Sequence, residues 1–290
     1  MRVAIVGTFQ TGKSTLMNCL INDCIANVGI GLPTTHVLNY YSGAKSGCGR
    51  VLFQDCNAKT LRTVDLVDFR HDSSMPEYTT RIMHELPDVD CLMGNTFIDT
   101  PGLDSVGKDA SSDNLQTVDI ISRVDSVLLV LPNKQISTAI RDVVFPLLRE
   151  ASVPVVVVMN CLPNGLSLSA ADPNSQQNQM VAQQIEMDLS NEGIIPCYVD
   201  EGKTLRVLPI NAAWGWLSNA ESLESKFCDK QTREVFDTRM LEVKNLFSIM
   251  GKAIPSISDL GDLSNLKKLI DGIADMKAFK AKSVEKFIKI

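Results

Sequence analysis

Met1-Arg2-Val3-Ala4-Ile5-Val6-Gly7-Thr8-Phe9-Gln10-Thr11-Gly12-Lys13-Ser14 opens the chain. The apolar run Val3–Val6 leads directly into Gly-x4-Gly-Lys-Ser, and Ser14–Asn22 then carries apolar residues at helical spacing. A strand that turns through glycines into a helix gathers backbone N–H groups and the positive helix end around one point, a cradle for phosphate oxygens. In such a cradle Lys13 bridges β- and γ-phosphates and the Ser14 hydroxyl binds Mg²⁺. The nucleotide-binding set read from this stretch is Gly7, Thr8, Phe9, Gln10, Thr11, Gly12, Lys13, Ser14 and Thr15. A chain of this length meets the pattern by chance about one time in a hundred, and the strand-and-helix context lowers that further.

Outward from this stretch, short apolar runs recur at Val51–Phe53, Thr96–Ile98, Ser126–Leu131, Val153–Met159 and Leu205–Ile210. Helical patterns lie among them at Asp113–Ile121, Thr138–Glu150 and Ser175–Asn191, with another at Leu263–Ala274. Alternation of this kind predicts α/β architecture: a three-layer P-loop NTPase fold with a mostly parallel sheet, an extended antiparallel edge and C-terminal helices. Val37–Leu92 breaks the rhythm and reads as antiparallel hairpins at the sheet edge, with Gly43, Gly47, Gly49 and Asn57-Ala58 as turn material. The Gln/Asn cluster Ser175–Gln184 reads as a solvated helix start, and Leu217–Ile290 shows helical patterns throughout.

Composition agrees with an ordinary globular chain. Of 290 residues 44% are apolar, and 28 Lys+Arg against 34 Asp+Glu leave a net charge of −6. That balance offers no global field for nucleic acid or anionic lipid, so no nucleic-acid partner is expected, and any such contact needs a local patch. No segment approaches the ~20 apolar residues of a membrane span, and the opening apolar run is too short for a signal peptide. The eight cysteines show no Cys-x-x-Cys and no zinc spacing, which predicts reduced thiols and a cytoplasmic location. His36, His71 and His84 are isolated and read as surface or strand-edge residues, and Cys161 as inert.

Phe97-Ile98-Asp99-Thr100-Pro101-Gly102 supplies a second half of the site. Asp99 at a strand end can hold Mg²⁺ through water, and Gly102 lets a backbone N–H reach the γ-phosphate. Leu32-Pro33-Thr34-Thr35 offers two threonines that could close on the metal, with Thr35 preferred. The metal set is then Ser14, Thr35 and Asp99, and the catalytic set Lys13, Ser14, Thr35, Asp99 and Gly102.

Gly7-x-Phe9-x-x-Gly12-Lys13-Ser14-Thr15-Leu16-x-Asn18-x-Leu20, Leu32-Pro33-Thr34-Thr35 and Ile98-Asp99-Thr100-Pro101-Gly102-Leu103 together resemble the GTPase domain of the dynamin superfamily, in particular bacterial dynamin-like proteins. The resemblance covers about residues 2–215. It implies an enlarged G domain that binds GTP and Mg²⁺, hydrolyses GTP, often after two G domains meet, and commonly couples hydrolysis to membrane remodelling. It also implies a polar phosphate-loop residue, for which Gln10 is placed, and a monovalent cation. Leu103 stands where Ras-like enzymes carry a water-positioning Gln.

The base motif departs from that family. Its Asn/Thr-Lys-x-Asp is here Asn160-Cys161-Leu162-Pro163. Asn160 can still contact the base and tie its loop to the phosphate loop, but the carboxylate that reads guanine is Pro163. Charge-assisted bonds of that kind are worth roughly 1.5–3 kcal/mol each, so guanine selectivity needs a substitute acid, and Asp172 is the nearest downstream candidate. Asn211 and Ala212 match the family's base-contacting loop, whereas Asn133-Lys134 reads as a surface loop and Trp214 and Trp216 as packing beside the base loop or the helical tail. Two alternatives stay open: an ATP-using relative, and a nucleotide-binding scaffold with little turnover.

The expected organisation is a G domain over 1–275, with core 2–215 and closing helices 217–275. Residues 276–290 then form a basic amphipathic helix or the start of a stalk. The expected partners are GTP and a second G domain, with a membrane surface as a further candidate through the terminal lysines. The stretch beyond the core is too short for a complete dynamin's stalk and membrane module, so the chain is a minimal family member or a fragment.

Overall fold

The computed structural model describes residues 1–26, 37–44, 48–72, 74–87, 89–103, 110–151, 153–162, 167–194, 207–223, 226, 230–271 and 273. β1 (Arg2–Val6) feeds α1 (Lys13–Ile21), and β2 (Leu38–Gly43), β3 (Arg50–Gln54), β4 (Thr60–Asp65), α2 (Leu66–His71) and β5 (Arg81–Leu86) form an edge extension. β6 (Thr96–Asp99), α3 (Ala110–Ile121), β7 (Ser126–Pro132), α4 (Phe145–Ala151) and β8 (Val155–Asn160) come next. α5 (Leu168–Ala171), α6 (Gln176–Asn191) and β9 (Val207–Ile210) complete the sheet, whose order is β4-β3-β5-β2-β6-β1-β7-β8-β9. α7 (Ala212–Leu217), α8 (Ala220–Leu223), α9 (Lys230–Ile249) and α10 (Ile257–Leu263) follow β9.

The five strands from β6 to β9 run parallel. β7 and β8 are buried at every position because helices cover both of their faces, which is why they read as unbroken apolar runs. On one face Val3, Ile5, Leu128, Val130, Val156 and Val158 pack with Leu16, Met17 and Leu20 of α1. On the other, Ala4, Val6, Leu129, Leu131 and Val157 pack with Ile120 and Ile121 of α3 and Ile185 and Leu189 of α6. The expected three layers and the α/β class are therefore present.

The edge extension departs from the expected run of hairpins. β3 and β4 do form an antiparallel hairpin through Asn57-Ala58, with Ala58 left-handed at φ 60° and Asp55 Oδ1 accepting from the Asn57 and Lys59 N–H groups at 2.9 Å. β2, however, does not pair with β3. β5 lies between them, parallel to β2 and antiparallel to β3. This long-range insertion lets the alternate residues Ile82, His84 and Leu86 join Tyr41, Val51 and Phe53 on one buried face, which a local β2–β3 hairpin would leave incomplete.

His84 is accordingly a core residue, contrary to its reading as a surface or strand-edge side chain. It is 1% exposed, stacks on Tyr41 with centroids 4.6 Å apart, and sets Nε2 3.1 Å from Asn39 Oδ1. Burial pulls its pKa down to about 3, so the ring is neutral. His71 is exposed as expected, and His36 lies outside the described residues.

Two helical expectations need adjustment. Thr138–Glu150 is helical, but Ile140–Val144 is a π-helical stretch ahead of α4. Leu263–Ala274 is divided at Ser264-Asn265, where Asn265 takes φ 57°, before helix resumes at 266–271. The helices after β9 share a buried cluster with α1 and the segment that follows it: Trp214, Trp216, Leu217, Phe236 and Phe247 pack with Cys19 and Cys24. Residues 276–290 lie outside the described residues, and no disulfide forms among the described cysteines.

Candidate nucleotide site

The phosphate end sits where β1 turns into α1. Gly12 takes φ 84° and Gln10 φ 62°, so the loop curls back before the first helical bond, Leu16 N–H to the Gly12 carbonyl at 2.9 Å. A Cβ at Gly12 would also lie 2.4 Å from Asn160 Nδ2, which closes this position to any side chain. Thr11 braces the loop through its hydroxyl to the Thr8 carbonyl at 3.0 Å. Lys13 is 7% exposed, and its amine donates to the carbonyls of Gly7 at 3.2 Å and Thr8 at 3.1 Å.

Asp99 ends β6 beside Ile5 of β1, which sets its carboxylate against the first turn of α1. Ser14 Oγ donates to Asp99 Oδ2 at 2.8 Å, while Asp99 Oδ1 is buried with no hydrogen-bond partner. Burial raises Asp99 to about 6, opposed by the Lys13 charge and the Ser14 hydrogen bond, and burial lowers Lys13 to about 8, opposed by Asp99. An unsatisfied buried carboxylate oxygen beside a serine hydroxyl is a donor set that suits a hard cation with oxygen ligands, so the residues present fit Mg²⁺. Among the described residues no group of three His, Cys, Asp or Glu could hold a metal, so a cation here would need oxygens from the nucleotide as well.

The segment after Asp99 is laced to the phosphate loop. Leu103 N–H donates to the Gly7 carbonyl at 3.2 Å, and Phe9 N–H donates to the Leu103 carbonyl at 2.8 Å. A Cβ on Gly102 would lie 2.8 Å from Phe9 Cα and 3.3 Å from Lys13 Nζ, so the approach needs glycine there. The structure thus brings Gly7, Thr8, Phe9, Gln10, Thr11, Gly12, Lys13, Ser14, Thr15, Asp99 and Gly102 to one place. Thr35 lies outside the described residues.

The base end is assembled from amides that bond to the protein itself. Asn160 is 2% exposed; its Nδ2 donates to the Thr11 carbonyl at 2.8 Å and its Oδ1 accepts the Ala212 N–H at 3.0 Å. One side chain therefore ties the phosphate loop to the Asn211-Ala212 loop. Asn211 Nδ2 reaches the carbonyls of Cys161 at 3.1 Å and Ala171 at 2.8 Å, while its Oδ1 caps α7 on the Trp214 N–H at 3.0 Å. Cys161 is fully buried and its thiol is pushed up, first by burial and then by the Asp172 charge, which agrees with an inert cysteine. Asp172 itself comes after α5 and accepts the Asn174 N–H on Oδ1 at 2.9 Å. Pro163 lies outside the described residues.

Two residues here differ from their sequence reading. Asn133 is no bland loop residue: its Oδ1 accepts the Leu162 N–H at 3.3 Å and its Nδ2 donates to the Ala170 carbonyl at 2.9 Å. Asn178, within the stretch that reads as a solvated helix start, is fully buried and its Nδ2 donates to the carbonyls of Ala170 at 2.9 Å and Asp172 at 2.8 Å. The signal for Asn133 is its place just past the end of β7, where loops of parallel sheets meet ligands. For Asn178 it is a capping serine three residues earlier, whose Oγ accepts the Asn178 N–H at 3.2 Å.

Residues 2–161, from β1 through the Asn160-Cys161 loop, match the family described as 50S ribosome-binding GTPase. The chain belongs to this GTPase family. The GTPase is also similar to Dynamin-like protein 2 of Campylobacter jejuni, at 26% identity over 129 residues, which is 44% of this chain and 20% of that protein. Among solved structures it is similar to a chain of an oligomerised bacterial dynamin pair, with 16% identity, a TM-score of 0.49, and coverage of 87% of this chain and 42% of the other. Aquifex aeolicus Era bound to GDP and aluminium fluoride gives 16% identity, a TM-score of 0.40, and coverage of 89% and 69%. The GTPase thus spans one fifth of its curated relative and less than half of the dynamin-pair chain. It is a P-loop GTPase domain similar to those of dynamin-like proteins, and none of its described helices is long and apolar enough to cross a membrane.

Proposed function

We propose that this domain binds GTP with Mg²⁺ and hydrolyses it to GDP, and that nucleotide state controls its association with a second G domain, a membrane surface or another partner. The observation that carries the reading is Asp99: a buried carboxylate with one oxygen on Ser14 and the other unsatisfied, facing the cradle that Lys13 completes. Bound Mg²⁺ supplies positive charge to the β- and γ-phosphate oxygens. Ser14 Oγ and the unprotonated Asp99 would hold that ion, with Thr35 as the third group. Lys13, whose amine now rests on two backbone carbonyls, has phosphate oxygens as a stronger acceptor, and in a desolvated site that charge acts with little screening. The Gly102 N–H serves the γ-phosphate, while Gln10, left-handed and exposed on the loop, is the polar residue for the attacking water and a monovalent cation.

Guanine selectivity falls to Asp172 in this reading. Asn211 fixes the Ala171 carbonyl beside that of Cys161, and the Asp172 charge bears on the Cys161 thiol, so this carboxylate stands next to the loop that lacks the usual acid. One observation favours the second reading, an ATP-using or weakly active nucleotide scaffold: Cys161, which stands where the family's base motif carries Lys, is fully buried and offers the base no stem to stack on. Residues 1–275 are taken as one G domain, and the dimer and membrane association rest on resemblance to dynamin-like proteins. Phosphate release from GTP and from ATP, measured with Mg²⁺ at several protein concentrations, tests the proposal. Faster GTP turnover that rises with concentration supports it; no turnover of either nucleotide at any concentration leaves the scaffold reading, and faster ATP turnover the ATPase.

A further inference from the structure

A second concavity, of mixed polar and apolar lining, lies apart from the residues of the nucleotide cradle. On the α3 side of the sheet, α3 packs over β1 and β6, and beyond its last turn the face of the edge extension is only partly covered. Its outward row runs from Ile98 of β6 to Tyr40 of β2 and Met83 of β5, with Arg81 and Gln54 paired in the neighbouring row. The step between the helix and this face is a cleft of about 270 Å³, close to the lower bound of small-molecule sites.

Its lining is strongly basic in an acidic chain. Arg2 from β1, Arg81 from β5 and Arg123 from the end of α3 converge there with Tyr40, Gln54 and Asp119. Three guanidinium groups against one carboxylate leave a local charge of +2. Asp119 is spent on Arg123, with Oδ1 2.6 Å from Nη2. Among the described residues, the guanidinium groups of Arg2 and Arg81 make no hydrogen bond or ion pair. The Tyr40 phenol is pushed up, mainly by burial and further by the Asp119 charge, while the charges of Arg81, Arg123 and Arg2 pull it back, so all three arginines lie within electrostatic reach of one hydroxyl. Like charges gathered from three separate elements repel one another, and an anion in the cleft removes that cost.

We infer that this cleft is a second anion site, which takes a phosphate monoester. A monoester carries roughly −1.5 to −2 at neutral pH, which matches the +2 of the lining, and its three terminal oxygens suit guanidinium, phenol and amide donors arriving from different directions. The volume accommodates a phosphoryl group with a small organic body, whether a soluble phosphorylated metabolite or the headgroup of an anionic lipid. It is a local basic patch of the kind that the chain's overall charge requires for contact with anionic lipid.

The test uses the full chain carrying Lys13→Ala, which disables the phosphate cradle and leaves the cleft intact. Glycerol 3-phosphate is titrated calorimetrically, and in parallel the chain is floated with phosphatidylcholine vesicles with and without phosphatidic acid. Adding Arg2→Gln and Arg81→Gln together is expected to weaken the response by about tenfold or more, from the loss of two charge-assisted contacts. Thermal melting of the two proteins should coincide, because neither guanidinium holds a structural bond. An arginine-dependent response to glycerol 3-phosphate alone assigns a soluble ligand, and one to phosphatidic acid vesicles assigns a headgroup. Absence of any response in both arms, or a response that survives the double substitution, overturns the site.

Discussion

The two ends of the candidate nucleotide site are built on opposite principles. At the phosphate end the polar side chains are buried and under-bonded: Asp99 keeps an unsatisfied oxygen, Lys13 rests on loop carbonyls, and burial displaces both pKa values toward neutrality. At the base end Asn160 and Asn211 are buried and bonded to backbone through both the oxygen and the nitrogen of their amides, each tying two or three backbone segments together. A buried polar group without a partner costs about 1–3 kcal/mol, so the phosphate end stores a cost that a bound ligand relieves. The base end returns its bonds to the fold. Substitutions should therefore separate function from stability according to the end they touch.

The largest effect is expected from Lys13→Ala, which should cut nucleotide affinity by about a thousandfold or more, since a desolvated ammonium on phosphate is among the strongest contacts available. Its melting temperature should hold or rise, because a buried charge has been removed. A variant that binds nucleotide normally would break the comparison at its root. Asn160→Ala should do the reverse and lose roughly 2–4 kcal/mol of folding stability in a denaturant titration, through two lost buried bonds and two orphaned backbone groups. An unchanged midpoint would show that the amide serves the ligand and not the fold.

Asp172→Asn is expected to reduce the preference for GTP over ATP by about tenfold, in competition binding, with little change in stability. An unaltered ratio would remove Asp172 from base recognition and leave the second reading in force. The smallest effect is that of pH. Asp99, raised to about 6, must be unprotonated to hold the ion, so below that value each pH unit should cost Mg²⁺-nucleotide affinity about tenfold, with little change from pH 6.5 to 7.5. Asp99→Asn should flatten this profile at a lower affinity, whereas Asn160→Ala should leave its shape alone. A flat profile in the parent protein down to pH 5 would mean that the phosphate end is not poised as its burial implies.

Legibility in the sequence varies by element. The strand-loop-helix from Val3 to Ile21 and the Asp99 segment are readable because each rests on contiguous residues with local backbone demands, two glycines and a strand end. The edge extension is legible only in its hairpin, since Asn57-Ala58 marks a turn but nothing local says that β5 will enter between β2 and β3. His84 escapes a sequence reading for the same reason, its burial being set by a partner strand more than forty residues away in the chain. Asn133 looks like a surface amide because its backbone partners lie 29 and 37 residues away in the chain. Asn178 looks like one although its partners, Ser169, Ala170 and Asp172, lie just upstream, because only the turn after α5 brings them over the amide.

By itself the sequence determined the class of fold and the strand-loop-helix on which the candidate phosphate cradle rests, because such a turn requires particular residue types at short spacing. Only the tertiary structure decided the order of the edge strands, the second tie that Asn160 makes to the Ala212 N–H, and the meeting of Arg2, Arg81 and Arg123 in one cleft. Those features depend on which distant segments bury a common face, and that choice is made by packing and by the need to satisfy every buried polar group.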